Sequence, residues 1–154
     1  MEESVNTFSG ALDDVFRLEE KDWRQYSPLT LAYLGDAVYD LVIRTIYVKG
    51  ANCQTQKIHQ KVTALVNAKT QARMIHALLP ELTREEESVF RRGKNAKPYT
   101  KAKHATMREY LNATGFEALI GYLYLQKEFE RMNQLIRRGI GSLRTERAEE
   151  SLEP

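Results

Sequence analysis

Cysteine, proline and long apolar runs are all scarce in this chain. One cysteine, Cys53, stands among 154 residues, which excludes an internal disulfide and fits a small residue near a helix start. With three scattered histidines it offers no Cys/His set for zinc. The most apolar stretch is broken by Asp36, Asp40 and Arg44, so no membrane span is expected. The first twenty residues carry Glu2, Glu3, Asp13, Asp14, Glu19 and Glu20 instead of the basic, then apolar, order of a secretory signal. A cytoplasmic location is the expectation. Strand-like alternation and internal repeats are missing as well.

What is present is helical periodicity at ordinary globular composition, 42% hydrophobic and 29% charged. Residues 1–26 form an N-terminal extension in which Phe8, Leu12, Val15 and Phe16 suggest a short helix on the body. Ser27-Pro28 is a helix start, since proline in the first turn has no N–H to lose, and Gly50 is a stop. The stripe Ile58, Val62, Leu65, Val66, Ala72, Ile75 and Leu79 predicts one helix over about 53–79, ended by Pro80. Thr83 with Glu86 three residues on reads as a capping box opening a short helix that Gly93 closes. Residues 93–103 read as a basic loop broken by Gly93, Asn95 and Pro98. Helices are expected over about 104–126 and 128–139, and the charged residues 141–154 as a disordered tail. The sum is one all-α domain, a helical bundle over residues 27–140.

Charge is unevenly placed. From Arg91 to Arg108 there are seven Lys/Arg and no Asp/Glu, so against an overall net charge of +2 the rest of the chain is at −5. A concentrated positive run points to a local polyanion contact. Arg91, Arg92, Lys94, Lys97, Lys101 and Lys103 are the phosphate candidates, with Asn95 able to bond a sugar or phosphate. A merely solvated basic loop is the alternative. Lys57, Lys61, Lys69 and Arg73 could extend the surface, or equally face water.

Two carboxylates lie in apolar surroundings: Asp36 within Leu29–Asp40, and Glu117 within Thr114–Tyr122. Ionised carboxylates are costly to bury unpaired, and a shared divalent cation is the simplest partner for two of them. Asp36, Asp40 and Arg44 are four apart and form one polar stripe. An Asp40–Arg44 ion pair is the plain structural reading there. Around Glu117 the same-face positions hold no cation, while residues 113, 115, 118 and 121 are small enough to admit a neighbouring backbone; an outward-pointing Glu117 is the alternative. Oxygen-only ligands select a hard ion such as Mg²⁺ or Mn²⁺. Beside a basic run, that suggests metal-dependent phosphodiester hydrolysis.

The stretch Leu31-Ala32-Tyr33-Leu34-Gly35-Asp36-Ala37-Val38 resembles the signature helix of the ribonuclease III catalytic domain. Phe116-Glu117-Ala118-Leu119-Ile120-Gly121-Tyr122-Leu123-Tyr124-Leu125 resembles that family's second acidic helix, and Leu65-Val66-Asn67-Ala68-Lys69-Thr70-Gln71-Ala72 also fits. The resemblance covers residues 27–140. It implies a homodimeric endonuclease domain in which Asp36 and Glu117 are catalytic and bind Mg²⁺, with Mn²⁺ as a substitute. The family's glutamate four residues before the signature aspartate is here Ala32, and its aspartate three residues before the second glutamate is Thr114. Asp40, one turn beyond Asp36, could support the metal through water.

This reduced pattern, with no double-stranded-RNA-binding domain after residue 140, resembles the Mini-ribonuclease III subgroup. The run Arg92-Gly93-Lys94-Asn95-Ala96-Lys97 is similar to a hallmark of it. The resemblance implies a cytoplasmic homodimer that cuts double-stranded precursor ribosomal RNA, particularly the large-subunit (23S) transcript, leaving 5′-phosphates. An accessory ribosomal protein that presents the substrate is left open. The competing class is a non-catalytic RNA-binding or ribosome-associated module with the same fold, which the carboxylates absent at Ala32 and Thr114 favour. A helical scaffold with acidic interface stripes is a third.

Overall fold

Ser27 opens the helix around which the molecule is built. Its hydroxyl accepts from the Thr30 amide at 3.1 Å, and Pro28 takes the first helical position. The computed structural model of the chain describes residues 7–50, 53–96 and 105–150. Among these it shows seven α-helices, two 3₁₀ turns and no strand: α1 Phe8–Phe16, α2 Pro28–Gly50, α3 Thr55–Leu65, α4 Ala68–Leu78, α5 Arg84–Lys94, α6 Met107–Leu125 and α7 Phe129–Glu150. The 3₁₀ turns are Trp23–Gln25 and Leu79–Glu81, the second around Pro80.

Helix α6 is the central rod. Of its eleven positions from Ala113 to Leu123, ten are buried, the exception being Glu117. An α-helix buried nearly all round must be sheathed by others, and α2, α4 and α5 pack on it. The core joins Phe116, Leu119, Ile120 and Leu123 to Leu31 and Ile43 of α2, Met74, Ile75 and Leu78 of α4, and Leu135 and Ile136 of α7. Tyr39 is fully buried against the Phe116 ring, edge-on at 5.4 Å, and its hydroxyl donates to the Leu65 carbonyl at 2.8 Å.

The single helix expected over 53–79 is two. Asn67 divides them: its Oδ1 accepts from the Thr70 amide at 2.9 Å, capping α4, while its Nδ2 donates to the Thr63 and Ala64 carbonyls at the end of α3. One side chain thus satisfies backbone groups at both helix ends, which stabilises a break. The capping box is present, with Glu86 Oε1 accepting from the Thr83 amide at 2.8 Å and Thr83 Oγ1 from the Glu86 amide at 3.1 Å. Gly93 is not a stop: it is a buried residue inside α5, which runs on to Lys94. A second capping box, Thr106 with Glu109, starts α6.

Two expectations about the ends of the chain are corrected. Helix α1 exists, but its apolar stripe faces solvent, with Phe8, Val15 and Phe16 at 71%, 72% and 66% exposure; Ser9 and Gly10 are its buried residues. Lys127 ties α1 to the α6–α7 turn through Asp13 at 3.1 Å. Helix α7, expected to stop near residue 139, continues to Glu150, so residues 141–150 are helical rather than part of a disordered tail. Gly139 does not break it because the position is wanted empty: a Cβ there would come within 2.8 Å of the Met74 side chain. Leu143 adds a further apolar contact to the core.

Candidate active site and basic surface

Two glycines bring the acidic residues together. A Cβ at Gly35 would fall on the Glu117 carbonyl oxygen, and one at Gly121 on the Leu31 carbonyl. Helices α2 and α6 therefore cross with their backbones in contact, which only glycine at both positions allows. Asp36 follows Gly35 and Glu117 lies one helical turn before Gly121, so the crossing sets the two carboxylates side by side. The small residues noted around Glu117 do admit a neighbouring backbone.

Asp36 is not buried, as the apolar stretch around it suggests, but exposed; Glu117 is half-buried. The surface of α2 that carries Asp36 also exposes Tyr33 at 84% and Leu41 at 56%. The Asp36 carboxyl is raised above its ordinary value by desolvation and then by the Asp40 charge. Glu117 is pushed up to about 8, first by desolvation and then by the negative charge of Asp36. Asp36 ionises first, and its charge then opposes ionisation of Glu117. Among the described residues neither carboxylate has a hydrogen bond or an ion pair with a cation. Two carboxylates with raised proton affinity and no protein cation between them suit an external one.

The surrounding positions supply few alternatives. Arg44 Nε donates to Asp40 Oδ1 at 3.2 Å, so the Asp40 carboxylate is engaged by its own helix. Ala32 and Thr114 are buried, and the Thr114 hydroxyl donates to the Tyr110 carbonyl at 2.9 Å. No group of three or more His, Cys, Asp or Glu side chains gathers among the described residues. The donor set still fits Mg²⁺ or Mn²⁺, which are commonly held by one or two carboxylates with water and substrate phosphate completing the shell.

Helix α5 presses its basic end against the same turn of α6. A Cβ at Gly93 would lie 2.7 Å from Ala118 Cβ and 3.0 Å from Gly115 Cα, so Arg92 and Lys94 flank a residue packed beside Glu117. Arg91 donates to Glu87 Oε1 at 2.6 Å and is partly neutralised there. Arg92 has no acidic partner among the described residues; its guanidinium carbon sits 5.8 Å from the centre of the Trp23 ring. Asn95 is the C-terminal cap of α5 and is exposed. Arg91 and Arg92 lie in the helix as expected, whereas Lys94 ends that helix and Asn95 caps it, so the basic loop expected from residue 93 starts only after them. The other three candidates, Lys97, Lys101 and Lys103, lie outside the described residues.

Two structural anchors were not visible in local spacing. Arg131 of α7 donates Nε to Glu86 Oε2 and Nη2 to Glu86 Oε1, both at 2.9 Å, and Nη2 also reaches the Glu81 carbonyl at 3.0 Å. Burial pushes the Glu86 carboxyl up, but hydrogen bonds from Arg131 and Thr83 hold it below its ordinary value. Trp23 is the other. Each joins residues far apart in sequence, so no periodicity could have shown the pair.

A helical domain with this glycine crossing and acidic pair is of the ribonuclease III type. The family model described as "Ribonuclease III domain" matches residues 29–128, and the chain belongs to that family. It is 43% identical over 119 residues to Mini-ribonuclease 3 of Clostridium tetani, covering 77% of this chain and 79% of that one. It is likewise 43% identical over 118 residues to Mini-ribonuclease 3 of Enterococcus faecalis, covering 75% and 89%. Among solved structures, a crystallised Fusobacterium nucleatum protein superposes with a TM-score of 0.71 at 37% identity, over 76% of this chain and 95% of that one. Within the family, then, the chain stands with the Mini-ribonuclease 3 proteins.

Proposed function

We propose that the chain is a metal-dependent endoribonuclease that cuts double-stranded RNA, with precursor large-subunit (23S) ribosomal RNA as its substrate. The observation that carries this reading is the Asp36–Glu117 pair, set side by side at the Gly35–Gly121 crossing with no protein cation to neutralise it. Asp36 and Glu117 would hold Mg²⁺, or Mn²⁺ in its place. Bound there, the ion supplies a water of lowered pKa and charge neutralisation at the scissile phosphate, consistent with 5′-phosphate and 3′-hydroxyl products.

The chain's own residues do the rest. Glu117 keeps its proton at neutral pH until a cation arrives, since its carboxyl is held at about 8. The last turn of α5 provides Arg91, Arg92, Lys94 and Asn95 for phosphates and sugars, and Lys97, Lys101 and Lys103 follow it in sequence. Duplex RNA is read mainly by shape through its phosphates and 2′-hydroxyls, which suits a two-fold dimer. The exposed Tyr33 and Leu41 on the Asp36 helix favour a second copy as the dimer partner there. Asp40 remains available to support the metal through water only if Arg44 releases it. The chain's place is the cytoplasm, where such transcripts are made.

Incubating the protein with a structured precursor stem in Mg²⁺, and again in excess chelator, tests the reading. Discrete cuts with 5′-phosphate ends in Mg²⁺ alone are expected. Tight, metal-independent binding without cuts would instead identify the non-catalytic RNA-binding module that the absent carboxylates at Ala32 and Thr114 allow.

A further inference from the structure

Trp23 is the only tryptophan of the chain, and it is 7% exposed although it lies in a three-residue turn outside the matched domain. Its Nε1–H donates to Glu85 Oε1 at 3.0 Å, and its ring meets Tyr122 of α6 edge-on at 4.9 Å between centroids. Glu85 and Arg92 are seven residues apart on α5, two helical turns, and so share a face. The indole spans that face: it is bonded to Glu85 in the first turn and lies under the Arg92 guanidinium, 5.8 Å away, in the last. Arg24 stacks on the same indole at 4.8 Å and is held by Asp22 at 3.3 Å.

Arg92 differs from its neighbour. Arg91 is paired with Glu87 at 2.6 Å, whereas Arg92 has no acidic partner among the described residues. A guanidinium resting on an aromatic face is steadied without using its in-plane N–H donors, which stay available for an anion. An open cleft of about 780 Å³ lies beside it, with Pro28 on one side and Arg84, Ser88, Arg92, Asn95 and the mutually paired Glu87 and Arg91 on the other.

We infer that Trp23 is a positioning residue: it fixes Arg92 at the mouth of this cleft, pre-set to meet a phosphate of the bound duplex. The inference rests on the reading of the α5 basic end as RNA-facing. By this account the N-terminal extension serves RNA binding through the indole, without touching RNA itself. The order so imposed lowers the entropy cost of engaging a long side chain.

The test uses the intact chain with a short RNA duplex in chelator, so that nothing is cut, and follows affinity against salt concentration. Arg92→Gln should lower the steepness of log affinity against log salt by about 0.9, the loss of one phosphate contact. Trp23→Leu should weaken affinity by roughly two- to fivefold, the worth of an exposed cation–π contact, and flatten the same slope. Trp23→Leu added to Arg92→Gln should change neither further. A merely structural role for Trp23 would shift the melting temperature and leave the slope alone. Because Trp23 is the chain's single tryptophan, the unmutated protein gives a second readout: duplex binding should change its fluorescence, and Arg92→Gln should abolish the change. If Arg92→Gln alters neither affinity nor slope, the RNA-facing reading of α5 fails. If Arg92→Gln acts while Trp23→Leu keeps the wild-type slope, or the fluorescence response persists in Arg92→Gln, the positioning role is overturned.

Discussion

Gly35 lies so close to Glu117 that a side chain at 35 would take the place of the Glu117 carbonyl oxygen. That contact explains how an exposed aspartate on one helix and a half-buried glutamate on another come to act as a pair. The acidic site is a property of backbone packing before it is one of side-chain chemistry.

Gly35→Ala should therefore damage fold and site together. The added Cβ meets backbone on α6, which cannot step aside as a flexible side chain can. A loss of about 3 kcal/mol or more is expected, at or above the upper end of ordinary overpacking. Gly141→Ala is the matched control, because nothing lies within 4 Å of its Cβ position. Denaturant unfolding of both variants checks this.

The Glu117 carboxyl, raised from 4.5 to about 8, binds a proton in the folded protein that the unfolded chain has released over that interval. Without metal, stability should fall as pH rises from about 4.5 to 8, in the sense required by linkage. Glu117→Gln should remove most of that slope and melt higher than wild type at pH 8.5, each kcal/mol being worth roughly 2–4 °C. Mg²⁺ must displace the same proton, so its affinity should rise about tenfold per pH unit up to 8 and then level off. Thermal melts and calorimetric titration across pH measure both effects.

How much of this was legible in the sequence depends on how local the cause is. Ser27-Pro28 and the Thr83–Glu86 box act within one turn, and the structure has them where their spacing puts them. The break at Asn67 was hidden because the apolar stripe runs on through it, from Leu65 and Val66 to Ala72 and Ile75. The exposure of Asp36 was hidden for a related reason: α2 has apolar residues on more than one face, so its composition reads as burial all round. Asp36 and Glu117 could be paired by charge in apolar surroundings, while the Gly35–Gly121 crossing that joins them is a contact between distant backbones with no local signature. Trp23–Glu85 and Arg131–Glu86 span 62 and 45 residues and have no local signature.

Arg131 holds α7 onto α5 through a carboxylate that is itself almost fully buried, side-chain exposure 5% for Glu86 against 26% for Arg131. Arg131→Met should cost about 2–3 kcal/mol, less than a fully buried pair because the guanidinium is partly hydrated. Glu86 has a lowered carboxyl in the folded state, so its contribution is present above its ordinary range and lost as pH falls through the folded value. The variant's deficit should accordingly be large at pH 7 and shrink in acid, as urea titrations at pH 7 and pH 3 would record.

Tyr33, 84% exposed three residues before Asp36, is expected to sit between two copies of the chain. Tyr33→Asp should shift the protein toward monomer in sedimentation equilibrium and slow double-strand cleavage, with the melting temperature of the monomer unchanged. A monomeric wild-type protein, or a dimer unaffected by the substitution, would contradict this.

The most direct test of the account is cleavage of an end-labelled, double-stranded precursor ribosomal stem in Mg²⁺ by wild type and by Asp36→Asn. Asparagine keeps the shape of an exposed side chain that makes no hydrogen bond among the described residues, so folding and RNA affinity should hold. Cleavage should fall by roughly 10²–10³-fold or more, as when a charge-stabilising group is removed from a reaction centre. A variant that cuts at the wild-type rate would show that the Asp36–Glu117 pair is not the catalytic site.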